Sequence, residues 1–376
     1  MRISKVFSQC VLTGACLSLF GSVIPVVSMA GQTTDQSEQT TDQSEQTTSQ
    51  ATSSVDLKVD RYILTMGTLV SAKLYGTSRD ELVRYATLLE GELTKYDDMM
   101  SVHKPTALND VNSRSGETVE IPKTVALMVK EAFAIADETN GAFEPMIGPV
   151  VNLWKIGFGG DQVPSDEAIE AAVRLVDRNR VRLWEEGDRW FMRIDAGQSI
   201  DMGAIAKGYI GTLVADALKD AGMKRGLLDL GGNVVAIGDN FGKPWRIGIQ
   251  HPIKDRGGYF GVVNAKEVSV VTSGAYERYF EKDGKRYAHI LDPKTGRPVE
   301  TDMASVTIID PNGARADALC TALFGMGWAR AQTFLKAHSE IKAVLMHGDM
   351  QRVAITATAQ PIVTIVDEKL KTTVIE

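Results

Sequence analysis

Strand-like and helical segments succeed one another in this sequence without a repeating β-α-β order, which argues against a regular parallel-sheet fold. Alternating or β-branched stretches predict strands at residues 62–75, 226–237, 245–250, 269–273, 305–309 and 343–347. Capping, proline and spacing signals predict helices that begin near residues 79, 122, 164, 204 and 314. Hairpins are predicted at residues 184–190 and around Asp283-Gly284. These elements indicate an α+β fold, and we expect one globular unit with room for two lobes.

Residues 1–30 have the features of a secretory signal peptide. Arg2 and Lys5 precede an apolar stretch at residues 6–27. The sequence Ser-Met-Ala at residues 28–30 then places small side chains at the −3 and −1 positions of a signal-peptidase site. We therefore expect cleavage after residue 30 and an exported, periplasmic protein.

Two other interpretations of the N-terminal segment remain open. A transmembrane anchor is disfavoured by polar residues such as Ser8 and Gln9 within the stretch. Lipid attachment would use Cys16 or Cys10, although neither has the usual Leu three residues before it. In either case the alternative location is the inner membrane, with attachment through a lipid or an uncleaved N-terminal segment.

Residues 31–55 predict a disordered polar spacer. The heptapeptide TTDQSEQ at residues 33–39 is repeated without change at residues 40–46. A seven-residue period suggests a coiled coil, but no position of this repeat is apolar and no helical seam could form. We therefore place the folded domain at residues 56–360 and treat residues 361–376 as a C-terminal tail.

Composition narrows the class of partner and the source of stability. The formal net charge is −7, and removal of residues 1–30 would make it −9 because Arg2 and Lys5 would be lost. An acidic chain is a poor candidate for nucleic-acid binding, so we expect no nucleic-acid partner. Of three cysteines only Cys320 lies beyond the signal segment, so stability has to come from an ordinary core instead of disulfides.

Two glycine-rich segments are candidates for binding an anionic ligand. Residues 201–209 (DMGAIAKGY) form a glycine-flanked turn that leads into a helix, with Lys207 in its first turn. Such a helix start can bind an anion, or it can be an ordinary turn with a solvated lysine. Residues 228–233 (LDLGGN) follow a strand, where Gly-Gly allows close approach of a ligand or forms a tight turn.

Two further clusters carry side chains suited to catalysis or metal binding. His289 lies at a strand end before a Pro/Gly turn, where it could act as a general acid or base, or cap the turn. Asp317 and Thr321 are spaced i, i+4 and share one helix face. This oxygen pair suits Mg²⁺ or Ca²⁺, or it is a helix cap with a threonine bonded back to the backbone.

Taken together, these clusters resemble the ApbE family, the FAD:protein FMN transferases. The resemblance extends from about residue 66 to residue 326 and is carried by eight segments in order. They are MGT at 66–68, MMSVHKPTALNDVN at 99–112, GAFEPMIGPVVNLW at 141–154, DMGAIAKGY at 201–209, LLDLGGN at 227–233, VVTSGAYERYF at 270–280, HILDPKTGRP at 289–298 and ADALCTALFGMG at 316–327.

This resemblance implies a T-fold-like core that binds FAD and Mg²⁺ and transfers FMN from FAD to a Thr or Ser of a target protein, releasing AMP. It implies a flavin-accepting partner with an exposed Thr or Ser in a membrane or periplasmic redox complex. His289 matches the histidine that assists transfer, and Asp201 is a second candidate base. The metal ligands implied are Ala204 (through its carbonyl), Asp317 and Thr321. The FAD contacts implied are Met66, His103, Ala142, Phe143, Glu144, Asp201, Lys207 and Ile290.

Two positions depart from the family pattern. His103 stands where an aromatic residue, usually Tyr, stacks on the flavin nucleotide, and a histidine offers less stacking area. Glu144 stands where Asp is common, which lengthens the reach of the carboxylate. Two alternative functions therefore stay open: a Mg²⁺-dependent FAD pyrophosphatase that gives FMN and AMP, and a periplasmic protein that stores FAD.

Overall fold

The computed structural model of the protein describes residues 56–100, 105–254, 257–274 and 279–376. The chain divides between Ser53 and Ser54, and every described residue belongs to the second unit, Ser54–Glu376. The predicted signal peptide and polar spacer lie outside the described residues, as does His103. No helix within the described ranges combines the length and apolar character needed to cross a membrane.

The described part of the chain alternates between helices and strands in the irregular order that the sequence predicts. The helices are α1 (Arg79–Met100), α2 (Ala107–Ser113), α3 (Lys123–Glu138), α4 (Gly148–Trp154), α5 (Asp166–Val173), α6 (Ala206–Asp220) and α7 (Gly313–Ala337). The strands are β1 (Leu57–Thr65), β2 (Thr68–Gly76), β3 (Thr118–Ile121), β4 (Arg182–Glu186), β5 (Arg189–Arg193), β6 (Gly226–Asp229), β7 (Asn233–Ile237), β8 (Trp245–Gln250), β9 (Tyr259–Ala265), β10 (Val268–Gly274), β11 (Tyr279–Lys282), β12 (Lys285–Ala288), β13 (Met303–Asp310), β14 (Lys342–His347), β15 (Arg352–Thr356), β16 (Val363–Ile365) and β17 (Lys371–Ile375).

One large sheet organises the unit. Among the described residues it has nine strands in the order β1-β2-β6-β7-β10-β13-β14-β15-β17. Neighbouring strands are antiparallel except β15 and β17, which are parallel. Smaller sheets are formed by β16-β9-β8, by β3-β5-β4 and by the hairpin β11-β12. This mixture of helices with a mainly antiparallel sheet confirms the predicted α+β class.

Each face of the large sheet has its own core, because successive strand residues point to opposite sides. Ile308 belongs to the core shared with the helices, which includes Leu89 of α1 and Leu323 of α7. Its neighbour Ile309 belongs to the core on the other face, which includes Phe260 of the small β16-β9-β8 sheet. The large sheet is therefore covered by helices on one side and by a second sheet on the other.

Two segments that the sequence predicts as single strands are hairpins. Residues 62–75 are broken at Met66 and Gly67, whose φ angles are 50° and 66°, and Thr65 pairs with Thr68 across this turn. Residues 226–237 are broken in the same way at Gly231 and Gly232, with φ of 71° and 91°. Left-handed residues reverse the chain at both points. The turn at Gly231 and Gly232 is the tight-turn alternative that the sequence left open, whereas the turn at Met66 and Gly67 was not predicted.

Local signals at helix and hairpin ends are confirmed. The Ser78 Oγ accepts a hydrogen bond from the Glu81 backbone N–H at 3.2 Å, and the Glu81 carboxylate accepts one from the Thr77 N–H at 2.7 Å. Asp283 and Gly284 have φ of 52° and 74°, as a tight two-residue turn between β11 and β12 requires.

The C-terminal residues belong to the fold instead of forming a separate tail. β16 pairs with β9, and β17 adds a parallel strand beside β15. Ile375 is buried in the helix-side core. The folded unit therefore extends past residue 360 through β17. The predicted tail was wrong because short strands with few alternating apolar side chains gave only a weak signal over residues 361–376.

Helices α6 and α7 cross at two glycines, and this crossing positions the candidate site. A Cβ atom on Gly208 would lie 2.0 Å from the Gly313 carbonyl oxygen and 2.8 Å from the Asp317 Cβ. Only glycine at this point lets the two backbones approach so closely. The crossing sets the start of α6 directly against the first turns of α7.

We expect Gly208→Ala to destabilise the protein by about 3 kcal/mol, because the added methyl group forces two packed helices apart. Gly91→Ala is the matched control, since a Cβ there meets nothing within 4 Å on helix α1. That control should stabilise the protein by about 1 kcal/mol through helix propensity. Urea unfolding followed by circular dichroism measures both changes, and equal effects would contradict the proposed close crossing.

Candidate active site

A single cleft of about 1120 Å³ brings together eleven of the twelve predicted site residues. They are Met66, Ala142, Phe143, Glu144, Asp201, Ala204, Lys207, His289, Ile290, Asp317 and Thr321. The twelfth, His103, lies outside the described residues. Ligand clefts in proteins typically measure 300–1,000 Å³, so this one is large enough for a dinucleotide.

A carboxylate from α7 caps the start of α6. Helix α6 has no side-chain cap from Ile205, which precedes it. Instead the Asp317 Oδ2 accepts a hydrogen bond from the Gly208 N–H at 2.9 Å. Asp317 is only 3% exposed and forms no salt bridge with any described residue. A buried carboxylate offset only by one N–H group and a helix dipole is well suited to receive a cation.

Thr321 lies one helical turn beyond Asp317 and also lines the cleft. Its Oγ1 is 3.5 Å from the Asp317 backbone carbonyl, which is the back-bonded arrangement that the sequence left open. A hydroxyl bond of that length is weak, so the Thr321 oxygen can also serve a ligand. Carboxylate and hydroxyl oxygens are hard donors, the kind that Mg²⁺ prefers. The Asp317 and Thr321 oxygens, together with the Ala204 carbonyl in the turn before α6, therefore fit a Mg²⁺ ion.

Lys207 supplies positive charge at the same helix start. It is half-buried, lines the cleft, and has no hydrogen bond or ion pair with the described residues. Lys207 is the second residue of α6, and the backbone N–H groups and the helix dipole at this end of the helix also attract anions. The start of α6 therefore combines two sources of attraction for a phosphate group.

Asp201 fixes the turn that precedes α6. Its Oδ1 accepts a hydrogen bond from the Gly203 N–H at 2.7 Å, and its own N–H donates to the Pro145 carbonyl at 2.8 Å. The second bond joins this turn to the segment that carries Ala142 and Phe143. Asp201 therefore positions two walls of the cleft, and its carboxylate lines that cleft.

His289 is carried by a rigid turn after β12. The carbonyl of the next residue, Ile290, accepts a hydrogen bond from the Val299 N–H at 2.9 Å. Asp292 Oδ1 accepts from the Lys294 N–H at 2.7 Å, and the Gly296 carbonyl accepts from the Trp154 indole at 2.7 Å. The backbone on the C-terminal side of His289 is thus held by hydrogen bonds at several points.

Glu144 lines the cleft, but its carboxylate is engaged within the protein. Arg178 donates to its Oε2 at 2.6 Å, and the Met146 N–H donates to its Oε1 at 3.0 Å. The side chain is 6% exposed. The longer reach of Glu compared with Asp is therefore used to pair with Arg178 and to cap the short turn at Pro145–Ile147.

We expect Arg178→Met to destabilise the protein by about 3–5 kcal/mol, because it leaves the Glu144 carboxylate buried without its cation. Chemical unfolding at neutral pH measures the loss. Adding Glu144→Gln to this variant removes the unpaired charge and should recover most of the stability. Arg180→Met is the control for an exposed pair, since Arg180 and Asp177 are 49% and 32% exposed, and it should cost at most about 1 kcal/mol.

The cleft has further walls, formed by residues to which the sequence analysis gave no individual role. One is formed by Asn233 and the adjacent strand β10, through Thr272 and Ser273. Another includes His251, which is 5% exposed and whose pKa is lowered by burial. His251 stands at the end of β8 before a proline, the same strand-end signal that pointed to His289.

A second group of titratable side chains lies away from the cleft. Ligand atoms of Glu138, His338 and Glu340 lie within 4.8 Å of one another. None of the three lines the cleft. The Arg315 guanidinium already donates to Glu138 at 2.6 Å and lies 3.6 Å from Glu340. The Arg315 guanidinium therefore already offsets the negative charge of Glu138 and Glu340.

Comparison with known proteins gives a consistent result. Residues 66–345 match the model of the ApbE family. The FAD:protein FMN transferase of Klebsiella pneumoniae is 36% identical over 283 residues, which are 75% of this chain and 86% of that protein. The FAD:protein FMN transferase of Treponema pallidum is 33% identical over 303 residues, covering 76% and 83% of the two chains.

Solved structures show the same similarity. The crystal structure of the ApbE protein from Thermotoga maritima matches with a TM-score of 0.73 and 29% identity, over 81% of this chain and 99% of the other. The apo form of the flavinyl transferase ApbE from Pseudomonas stutzeri matches with a TM-score of 0.68 and 32% identity, over 78% and 92% of the two chains.

Proposed function

Because the chain belongs to the ApbE family, we propose that it transfers FMN from FAD to a Thr or Ser hydroxyl of a target protein, with release of AMP and with Mg²⁺ bound at the pyrophosphate. It is a transferase, and FAD is its substrate. The observation that carries the proposal is the convergence of eleven predicted site residues on one cleft large enough for a dinucleotide.

The start of α6 binds the pyrophosphate. Lys207 and the helix N-terminus offset the phosphate charges, and Asp317 with Thr321 and the Ala204 carbonyl would hold Mg²⁺ beside them. An ion held by these oxygens would supply positive charge to offset the negative charge of the phosphate oxygens. The chain's own cation, Lys207, acts on the same oxygens without requiring any rearrangement.

His289 is the group that accepts the proton of the attacking hydroxyl. The hydroxyl oxygen forms a bond to the FMN phosphorus, and the bond from that phosphorus to the bridging oxygen of the pyrophosphate breaks. AMP leaves with that oxygen and its electron pair, and the proton passes to His289. Asp201 holds the adjacent turn through Gly203 and can accept the proton in its place.

The acceptor follows from the same proposal. It is a flavin-accepting protein with an exposed Thr or Ser, in a membrane or periplasmic redox complex. The signal-like residues 1–30 and the polar spacer support an exported enzyme that meets its acceptor outside the cytoplasm. A chain of net charge −9 after cleavage is compatible with a phosphate substrate, because Lys207 and Mg²⁺ supply local positive charge.

Mass spectrometry tests the proposal directly. The mature protein is incubated with FAD, Mg²⁺ and a flavin-accepting domain, and the domain is then weighed. A mass gain of one FMN residue supports the transferase, provided that no gain occurs when EDTA is present from the start of the incubation. The same domain with its acceptor Thr replaced by Val is the control and should gain no mass.

Two other outcomes would overturn this function. Free FMN and AMP without a mass gain would indicate the FAD pyrophosphatase, which the weaker stacking surface of His103 keeps as the second candidate. FAD retained without either product would indicate a storage protein. Replacing Asp317 would then leave FAD retention largely unchanged.

A further inference from the structure

Asn233 carries a buried polar group that finds no partner among the described residues. Asn233 is 3% exposed, and no described residue donates a hydrogen bond to its Oδ1. The residue nevertheless lines the cleft. Leaving a buried carbonyl oxygen unpaired is costly, so such groups are rare in native proteins unless a ligand or solvent satisfies them.

The strand register places Asn233 on the helix side of the large sheet. It pairs with Val271 of β10, and side chains of directly paired residues share a face. Val271 belongs to the helix-side core, and its carbonyl accepts a hydrogen bond from the Cys320 thiol at 3.1 Å. Cys320 is next to Thr321 in α7. Asn233 therefore lies near the oxygen pair at the crossing of α6 and α7.

The turn before Asn233 is held tightly against the neighbouring strand β2. The two preceding glycines have φ of 71° and 91°, and the Gly232 N–H donates to Asp229 Oδ1 at 3.0 Å. A Cβ on Gly231 would lie 2.3 Å from the Thr68 Oγ1. The backbone is thus held close to β2, and the asparagine that follows is fixed at the cleft wall.

We propose that the Asn233 carboxamide is a substrate-binding group whose oxygen accepts a hydrogen bond from a donor carried by FAD. This inference rests on the proposed function and assigns an additional contact within the same cleft. The donors that FAD offers are its sugar and ribityl hydroxyls, the adenine amino group and the flavin ring N–H. The unpaired oxygen of the free protein is then satisfied in the complex, which favours binding.

Asn233→Leu tests the proposal, because leucine has nearly the same size and removes the unpaired oxygen. We expect FAD affinity to fall roughly tenfold, measured by quenching of flavin fluorescence in the presence of EDTA. The melting temperature of the ligand-free variant should stay the same or rise by roughly 2 °C. A residue with a purely structural role would instead lower the melting temperature and leave FAD affinity unchanged.

Ser269→Ala is the matched control. Ser269 is 1% exposed, its Oγ also has no partner within the described ranges, and it does not line the cleft. The change should leave FAD affinity unaltered. If Asn233→Leu fails to fold, Asn233→Ala is measured in the same way, and the melting shift that FAD produces replaces the affinity measurement.

Binding of AMP and of FMN identifies which half of FAD carries the donor, since only one of them should lose affinity in the variant. Unchanged FAD affinity would overturn the inference, and so would a defect that appears only with Mg²⁺ present. Failure of the unaltered protein to bind FAD at all would contradict the proposed function itself, so the two failures are distinguishable.

Discussion

Asp317→Asn should lower the rate of FMN transfer by about 10²–10³-fold while the protein stays folded. The amide keeps an oxygen that can accept the Gly208 N–H, which the Asp317 carboxylate now accepts at 2.9 Å. It removes the negative charge that would hold Mg²⁺ beside the pyrophosphate. Measuring transfer over a range of Mg²⁺ concentrations should show a weaker apparent affinity for the ion.

Asp317→Ala separates the two roles of this side chain. It removes the charge and also the hydrogen bond to the start of α6. Loss of that hydrogen bond should lower the free energy of unfolding by about 1 kcal/mol. We therefore expect the alanine variant to lose activity as the asparagine variant does, and to unfold at a lower denaturant concentration. Full transfer activity in Asp317→Asn at low Mg²⁺ would contradict the assignment of a metal at this carboxylate.

The sequence predicted the walls of the cleft better than it predicted the connections between strands. Segments such as residues 201–209 and 316–327 combine glycine, charge and helical spacing, and the structure brings them together at the crossing of α6 and α7. Their proximity depends on the contact between Gly208 and Gly313, which are more than one hundred residues apart. Local patterns identify such residues, but the resemblance to a known family was needed to group them.

The remaining differences have identifiable physical causes. The turn at Met66 and Gly67 was missed because a methionine with φ of 50° is rare outside strained turns. The engagement of Glu144 was missed because Arg178 lies 34 residues away in sequence, in a short 3₁₀ segment. The strands β16 and β17 were not predicted because their register is set by pairing with strands that are not adjacent to them in sequence.

His289→Asn should lower the rate of FMN transfer by about 10²–10⁴-fold with little change in FAD affinity. Asparagine is polar but smaller than histidine, and the turn that follows is held by bonds to the Ile290 and Gly296 carbonyls, which the change leaves in place. It cannot accept a proton from the attacking hydroxyl. Single-turnover transfer to the acceptor domain measures the rate, and flavin fluorescence measures binding.

Added imidazole should partly restore transfer in this variant, because a free base can enter the emptied space and accept the proton. His251→Asn is the matched control, since His251 is the other histidine that lines the cleft among the described residues. Its rate should stay within about fivefold of the unaltered protein, and imidazole should have no effect. Equal losses at the two positions would indicate that both histidines shape the cleft, and would leave Asp201 as the base.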